Sequence, residues 1–129
     1  MKTILVTGTS SGIGNQICIQ AAAMNFRVIS VSRNIEPLKD LGGIESFKLD
    51  ITDKDSVDDF VTNLKNRKIK IDILINNAGY LVSELFSETT YDSFKKTFDV
   101  NVFGLAEITR SLIPIINKDG HVINISSIG

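Results

Sequence analysis

The sequence has few of the residues that mark disulfide-rich, basic or membrane proteins. Cys18 is the only cysteine, so an internal disulfide is excluded, and its place in an apolar helical pattern predicts a small buried thiol. A formal net charge of -1 leaves no basic excess for nucleic acid or an anionic membrane. No apolar run is long enough to span a bilayer, and the N-terminus lacks a signal-peptide layout. We therefore expect a cytoplasmic protein with no nucleic-acid, membrane or metal partner.

Proline is also scarce, with two in 129 residues, and no Pro-rich linker, repeat or low-complexity tract divides the chain. The hydrophobic content of 43% is enough for one core, while the length leaves no room for two. These properties predict a single domain over residues 1–129.

Three spaced glycines lie between an apolar run and a helical pattern, in the stretch from Thr7 to Gly14. The apolar run, Lys2 to Thr7, is short and β-branched, as a buried parallel strand requires. Gly8 is expected to form the tight turn, Gly12 to let the backbone approach a phosphate group, and Gly14 to bring the helix close to the strand. Glycines are also common in ordinary turns, and that alternative stays open when this stretch is considered by itself. The helix that follows has apolar residues at helical spacing: Ile13, Ile17, Ala21 and Met24.

Further apolar stretches alternate with helical patterns, as in a parallel α/β sheet. The predicted strands two to five are Arg27–Ser32, Ile44–Leu49, Ile71–Ile75 and Gly120–Ile125. A helix with one apolar face follows the third strand, and Thr52 and Asp55 have the spacing of a capping box at its start. The apolar residues of this helix are Val57, Phe60, Val61 and Leu64.

A long helix is predicted from Thr90 to Asn117, and two of its faces are apolar. The main stripe consists of Phe94, Phe98, Val102, Leu105, Ile108, Leu112 and Ile116. The second face consists of Val100, Phe103, Ala106 and Ile113. We expect the stripe to cover the sheet and the second face to meet another helix or a second subunit, which predicts a homo-oligomer. Asn101 falls within the stripe, where an unpaired amide would cost about 1–3 kcal/mol, so it needs a partner.

Together, these motifs resemble those of the short-chain dehydrogenase/reductase family. The glycine turn matches the family's T-G-x-x-x-G-I-G, and residues 76–79 read N-N-A-G at the end of the fourth strand. Asp99–Gly104 matches D-x-N-x-x-G, and Asn124–Ser127 resembles the N-x-S-S ending of the fifth strand. The resemblance implies a Rossmann-like, doubly wound parallel α/β sheet with strand order 3-2-1-4-5, incomplete at its C-terminus. A dinucleotide would lie across the switch point between strands one and four.

The resemblance also implies an NADP site, with NAD less favoured. The residues of this site would be Gly8, Ser10, Ser11, Gly12, Ile13, Gly14, Arg33, Asp50, Ile51, Asn77, Ala78 and Gly79. Arg33 follows the second strand, where a cation would meet the 2′-phosphate of NADP, and Ser32 takes the place of the Asp of NAD users. The alternative is an exposed arginine at a strand end. Asp50 and Ile51 would hold the adenine edge, which is compatible with a helix cap at Thr52.

The catalytic residues implied by the resemblance are Ser127 and Asn101. Ser127 would hydrogen-bond the substrate carbonyl or hydroxyl, and Asn101 would orient a water and the catalytic lysine; for Asn101 the alternative is a satisfied core amide. The family's Y-x-x-x-K motif lies on the helix after this serine, and the chain ends at Gly129. Tyr91 and Lys95 match that spacing, but they precede the fifth strand, so we interpret them as structural.

The implied activity is hydride transfer between NADP and a small-molecule alcohol or ketone. Without the tyrosine and lysine, the chain is expected to show little turnover. Two alternatives stay open: a catalytically inactive dinucleotide-binding module and a non-functional fragment. Cofactor affinity distinguishes these two alternatives from each other.

Overall fold

The computed structural model describes residues 1–127, which form a five-stranded parallel sheet flanked by helices. The strands are β1 (Thr3–Thr7), β2 (Arg27–Ser32), β3 (Ile44–Lys48), β4 (Ile71–Asn76) and β5 (Ile116–Asn124). The α-helices are α1 (Gly12–Ala23), α2 (Lys54–Asn66), α3 (Tyr91–Phe98) and α4 (Leu105–Leu112). A π-helical turn, Asp99–Gly104, joins α3 to α4, and 3₁₀ turns cover Phe86–Glu88 and Ile113–Ile115.

The strand order is β3-β2-β1-β4-β5, and every neighbouring pair is parallel. This order confirms the predicted Rossmann-like fold class. Ile128 and Gly129, which follow the predicted fifth-strand ending, lie outside the described residues.

Strand β1 is the centre of the sheet, and all five of its residues are buried. Leu5 is fully buried and lies opposite Ile29 of β2 and Leu74 of β4. Burial on both faces explains why the three central residues, Ile4 to Val6, are all apolar rather than alternating with polar residues. The central position of β1 also brings its carboxyl end next to the ends of β2 and β4, where the chain leaves the sheet.

The core divides into two apolar clusters. The larger contains Leu5 and Ile29 together with residues of α2 and α4. The smaller contains Ile4 and Val6 together with residues of α1. Because side chains alternate along a strand, the two clusters lie on opposite faces of the sheet.

Helix α1 packs against the sheet through its smallest side chains. Gly14, Cys18 and Ala21 are its buried residues, whereas Ile13 is 60% and Met24 70% exposed, so the two ends of the apolar pattern do not face the core. At Gly14 the helix approaches the preceding turn so closely that a Cβ would overlap a carbonyl oxygen. No side chain fits at this position without a shift of the turn. Burial raises the pKa of the Cys18 thiol to about 11, in agreement with an inert buried thiol.

The long helix predicted from Thr90 to Asn117 is wrong in its extent. The π turn separates α3 from α4, and the helical part ends before Ile116, where β5 begins. Strand β5 therefore starts four residues earlier than Gly120, the predicted start. It pairs with β4 at Ile71 and again from Ile73, with an irregular register between them that accommodates the extra residues.

The π turn also changes which residues face the core. Each of its hydrogen bonds spans one more residue than in an α-helix, so the buried face shifts along the sequence. The residues on the core side are now four apart: Val100, Gly104, Ile108 and Leu112. Phe98 is 56% and Val102 45% exposed, and Asn101 is exposed as well. The prediction that Asn101 lies in a buried stripe is wrong.

The cap of α2 also differs from the prediction. Asp53 is the N-cap residue, and its Oδ1 accepts a hydrogen bond from the Ser56 amide at 3.3 Å. Thr52 donates its amide and its hydroxyl to Asp50 Oδ1, at 2.9 and 2.7 Å. Because these bonds hold Thr52 in a turn after β3, the capping residue is Asp53 rather than the predicted Thr52.

Candidate functional site

A cleft of about 650 Å³ lies at the carboxyl ends of the central strands. Its walls come from the turns after β1, β2, β3 and β4 and from the end of α3 with the start of the π turn. The structure brings together in this cleft nine of the residues predicted for the nucleotide site: Gly8, Ser10, Ser11, Arg33, Asp50, Ile51, Asn77, Ala78 and Gly79. This volume is typical of a small-molecule or cofactor site.

The glycine turn is packed tightly against the segment after β4. Gly8 has a φ of +70°, and a Cβ there would lie 2.6 Å from the Ala78 Cα. A Cβ at Gly14 would overlap the Gly8 carbonyl oxygen and lie 2.5 Å from Asn77 Nδ2. At Gly12, by contrast, a Cβ would meet no atom within 4 Å among the described residues. The turn is therefore closed towards the protein and open on the side of Gly12.

Hydrogen bonds join the two strand ends at the place where the sheet stops. Thr7 Oγ1 accepts from the amides of Asn77 and Ala78, at 3.1 and 3.0 Å. Asn77 Nδ2 donates to the Gly8 carbonyl oxygen at 2.9 Å. The neighbouring Asn76 Nδ2 donates to Asn124 Oδ1 at 2.9 Å and so joins β4 to β5. These bonds give the floor of the cleft a defined shape.

The start of α1 offers donors to an anion. Ser11 is the N-cap residue, with an extended backbone, and its side chain makes no capping hydrogen bond. The amides of the first helical turn have no partner within the helix, and the helix dipole adds a partial positive charge there. The open side of the turn at Gly12 gives a phosphate group space to approach these amides. The residues of the turn thus fit a pyrophosphate.

One end of the cleft carries charges of both signs. Arg33 is exposed immediately after β2, and Asp50 follows β3. Burial acts to raise the pKa of Asp50, but the hydrogen bonds from Thr52 and the charges of Arg33 and Lys96 together hold it below its ordinary value. The carboxylate is therefore ionised at neutral pH and available as a hydrogen-bond acceptor.

Asn101 lies outside the lining of the cleft and has a defined partner. Its Oδ1 accepts from the Tyr80 amide and its Nδ2 donates to the Tyr80 carbonyl oxygen, both at 2.8 Å. The side chain is thus satisfied by backbone, although at an exposed position rather than in the core. It attaches the π turn to the segment that follows N-N-A-G.

Four other predicted site residues also lie outside the lining. Gly12 and Ile13 are exposed on the outer side of the glycine turn, and Gly14 is buried beneath it. Ser127 is exposed after the end of β5. The structure therefore brings together the residues predicted near the nucleotide but does not bring Ser127 into the same cleft.

Tyr80 and Lys96 are two of the lining residues that the sequence did not assign to the site. Tyr80 lines the wall, and Lys96 of α3 lies with its Nζ 4.3 Å from the centre of the Tyr80 ring. Tyr80 could have been found, because it directly follows N-N-A-G. Lys96 gave no such signal, since its helical pattern predicts only an exposed position.

Two further findings concern the described part of the chain. Within residues 1–127, no three His, Cys, Asp or Glu side chains are grouped so that they could hold a metal ion. None of the helices formed by these residues has both the length and the apolar character needed to cross a membrane.

Known proteins resemble the chain over nearly its whole length. A sequence model described as short chain dehydrogenase matches residues 2–129. The chain is 36% identical to a fatty acyl-CoA reductase of Acinetobacter baylyi, with 99% of this chain and 48% of that protein covered. A short chain dehydrogenase of Leptospira borgpetersenii with bound NAD+ is 28% identical, with a TM-score of 0.91 over 98% of this chain and 52% of the other. ElxO with NADP bound is 28% identical, with a TM-score of 0.86 over 98% of this chain and 56% of the other.

The chain thus spans about half the length of these relatives. The two solved structures hold different dinucleotides, NADP in one and NAD+ in the other. Since the family match extends from residue 2 to residue 129 and the solved structures share the fold, the chain belongs to the short chain dehydrogenase family.

Proposed function

We propose that this chain binds NADP(H) in the cleft and forms the cofactor-binding part of an oxidoreductase. The observation that carries the proposal is the glycine turn, which is closed against Asn77 and Ala78 but open at Gly12, at the bottom of a cleft that ends at Arg33. The amides of the turn and of the start of α1 would hold the pyrophosphate. Asp50 and Ile51 would hold the adenine edge.

The preference for NADP over NAD rests on Arg33. An arginine at the end of the second strand can form charge-assisted hydrogen bonds with a 2′-phosphate. Because the neighbouring residue is Ser32, no carboxylate stands at that position to accept the ribose hydroxyls of NAD. The Ser32 hydroxyl donates instead to the Asn34 carbonyl oxygen at 2.7 Å. A contact of this type contributes about 1.5–3 kcal/mol, enough for a preference of roughly one to two decades.

The reaction proposed for the whole protein is hydride transfer between the nicotinamide and an alcohol or ketone. The bound cofactor supplies or accepts the hydride. In this chain, Ser127 would hydrogen-bond the substrate oxygen, although it does not line the cleft in the structure. Asn101 would act as a positioning residue, because both of its side-chain groups hold the Tyr80 backbone at the cleft wall.

A cofactor-binding module without catalysis is a second candidate, and the placement of Tyr91 and Lys95 favours it. Tyr91 is 78% exposed, and Lys95 Nζ pairs with Asp99 Oδ2 at 3.0 Å. Neither residue lines the cleft, so this pair is not in a position to act as the acid and base of the reaction. A missing acid and base costs about 10²–10⁴ in rate, and we expect residues 1–129 to bind the cofactor with little turnover.

The first experiment is a fluorescence titration of the chain with NADPH and NADH. We expect saturable binding of both, with NADPH preferred by about tenfold or more. Arg33→Ala should bring the two affinities together by weakening NADPH binding alone. Arg110→Ala is the matched control, because Arg110 is an exposed arginine of α4 that does not line the cleft.

Three outcomes would contradict parts of this proposal. Failure of a folded chain to bind either nucleotide would contradict cofactor binding and favour a non-functional fragment. An unchanged preference in Arg33→Ala would contradict the role of the arginine. Rapid reduction of ketones by the chain would contradict the expected lack of turnover.

We further propose that the protein is cytoplasmic and self-associates. A lone buried cysteine is suited to a reducing compartment. Phe103 is 60% and Ile113 58% exposed, and covering such side chains between two copies would stabilise a homo-oligomer. Recovery of the protein in the cytoplasmic fraction and a light-scattering mass above that of one chain are expected; a monomer at micromolar concentration would contradict self-association.

A further inference from the structure

The charged end of the cleft contains a second cation, Lys96, besides Arg33. The charged residues of the lining are Arg33, Asp50, Lys96 and Asp99. Lys95 pairs with Asp99 at 3.0 Å and balances it, so Asp99 adds little negative charge to the cleft. Within residues 1–127 Asp50 forms no such ion pair, and both Arg33 and Lys96 act on it electrostatically.

Without Lys96, the charges of Arg33 and Asp50 would cancel. An end of the cleft with no net charge would have little attraction for the additional phosphate that distinguishes NADP from NAD, because the Asp50 carboxylate repels that phosphate. With Lys96 present, the same end has a net positive charge. Lys96 is therefore the residue that gives this end of the cleft its net positive charge.

The position of Lys96 is defined by an aromatic ring rather than by a carboxylate. Its Nζ lies 4.3 Å from the centre of the Tyr80 ring, within the range of a cation–π interaction. Tyr80 is in turn held through its backbone by Asn101, with both hydrogen bonds at 2.8 Å. A ring leaves the positive charge of the ammonium group uncompensated, whereas an ion pair would neutralise it.

We propose that Lys96, positioned by the Tyr80 ring, is a second residue that determines the preference for NADP, by offsetting Asp50 and leaving the Arg33 end of the cleft positive. This inference rests on the proposed cofactor binding and extends it from one residue to a set of three. Arg33 would contact the 2′-phosphate, Lys96 would supply the electrostatic field, and Tyr80 would hold the ammonium group in place.

The test is the ratio of NADPH to NADH affinity in Lys96→Gln and Lys96→Arg, measured by titration at low and high ionic strength. We expect Lys96→Gln to weaken NADPH binding roughly three- to tenfold and to leave NADH binding within about twofold. Lys96→Arg should retain the wild-type ratio, because it keeps the charge. The effect of Lys96→Gln should shrink at high salt. Lys65→Gln removes an exposed lysine of α2 outside the cleft lining and serves as the control.

The role of Tyr80 is tested by a matched pair of variants. Tyr80→Phe keeps the ring and should keep the NADPH to NADH ratio. Tyr80→Leu removes the ring and should lower the ratio in the direction of Lys96→Gln. An equal ratio in both variants would overturn the positioning role of the ring.

The outcomes separate this inference from the cofactor proposal on which it rests. If the wild-type chain binds NADPH and Arg33→Ala loses the preference while Lys96→Gln keeps it, the role of Lys96 is refuted and cofactor binding stands. An equal loss of NADPH and NADH affinity in Lys96→Gln would also refute it, since that result indicates a contact with the shared part of the nucleotides. If the folded wild type binds neither nucleotide, both proposals fail.

Discussion

Strands β1 and β5 both contain β-branched apolar residues, among them Ile4 and Val6 in β1 and Val122 and Ile123 in β5, but these residues have different surroundings. All five residues of β1 are buried, between β2 and β4 and under helices on both faces. In β5, Val122 is 43% and Ile123 44% exposed, and the strand lies at the edge of the sheet formed by the described residues. An apolar β-branched run therefore predicts a strand, but what covers the strand depends on other parts of the chain or on a partner.

The sharpest test of this comparison is the same substitution in both strands. Ile4→Ala in β1 should lower the free energy of unfolding by about 2–5 kcal/mol, because Ile4 is 4% exposed and its loss leaves a cavity. Ile123→Ala in β5 should cost under about 1 kcal/mol, because Ile123 is already half in solvent. Urea denaturation followed by circular dichroism measures both values.

Equal losses would overturn the contrast between the two strands. A large loss in Ile123→Ala that depends on protein concentration would show that a second copy covers β5 in solution. The substitution pair thus also reports on self-association.

The carboxyl end of β1 is tight as well as buried, and Gly14→Ala tests this feature. The added Cβ would overlap the Gly8 carbonyl oxygen and lie 2.5 Å from Asn77 Nδ2, so the turn or the segment after β4 must move. We expect a loss of about 1–3 kcal/mol in stability and weaker NADPH binding. Gly42→Ala is the control, because a Cβ there meets no described atom within 4 Å and should be nearly neutral. A neutral Gly14→Ala would contradict the tight contact.

Asp72 of β4 connects β1 to β5 at the end of the sheet opposite the cleft. Its Oδ2 accepts from the Thr3 amide of β1, and its Oδ1 accepts from Asn117 Nδ2 of β5, both at 2.8 Å. The bond from Thr3 and then that from Asn117 lower the pKa of Asp72, against a smaller effect of burial. The carboxylate should therefore stabilise the fold above its unfolded pKa, near 3.9, and lose this contribution as the pH falls through its lower native pKa.

Asp72→Asn should consequently lower stability by about 0.5–1 kcal/mol at pH 7 and by less at strongly acidic pH. Denaturation curves of both proteins across this pH range give the difference. Asp59→Asn, at an exposed position of α2, is the control and should change stability little at pH 7. A difference for Asp72→Asn that is constant with pH would contradict the contribution of its charge.

The strands were predictable because their signals are local. Strands β1 to β4 were placed within one residue at each end, since short β-branched runs bounded by glycine or polar residues have few alternatives. The segment from α3 to β5 was not, because a single helical period was applied across Asp99–Gly104. The π turn there breaks the period, and Asn101 moved from the predicted core to an exposed position beside Tyr80.

The candidate site also contains residues that local patterns predicted and residues that they did not. Residues of the motifs at the strand ends, such as Gly8 and Asn77, could be assigned to one cleft because the carboxyl ends of parallel strands meet at one edge of the sheet. Lys96 could not, because its contact with Tyr80 joins positions sixteen residues apart through the packing of α3 against the cleft. Its charge became informative only when Asp50 and Arg33 were found on the same surface.

By itself, the sequence determined the class of fold, the turn at Gly8 to Gly14 and the residues that end each central strand. Turn geometry and hydrophobic periodicity depend on neighbours a few positions away, so the chain carries them in its local pattern. The tertiary structure alone decided which face of the α3 to α4 segment is buried, which cations share the cleft and how far β5 is covered. These properties depend on contacts between segments distant in sequence, which no local pattern specifies.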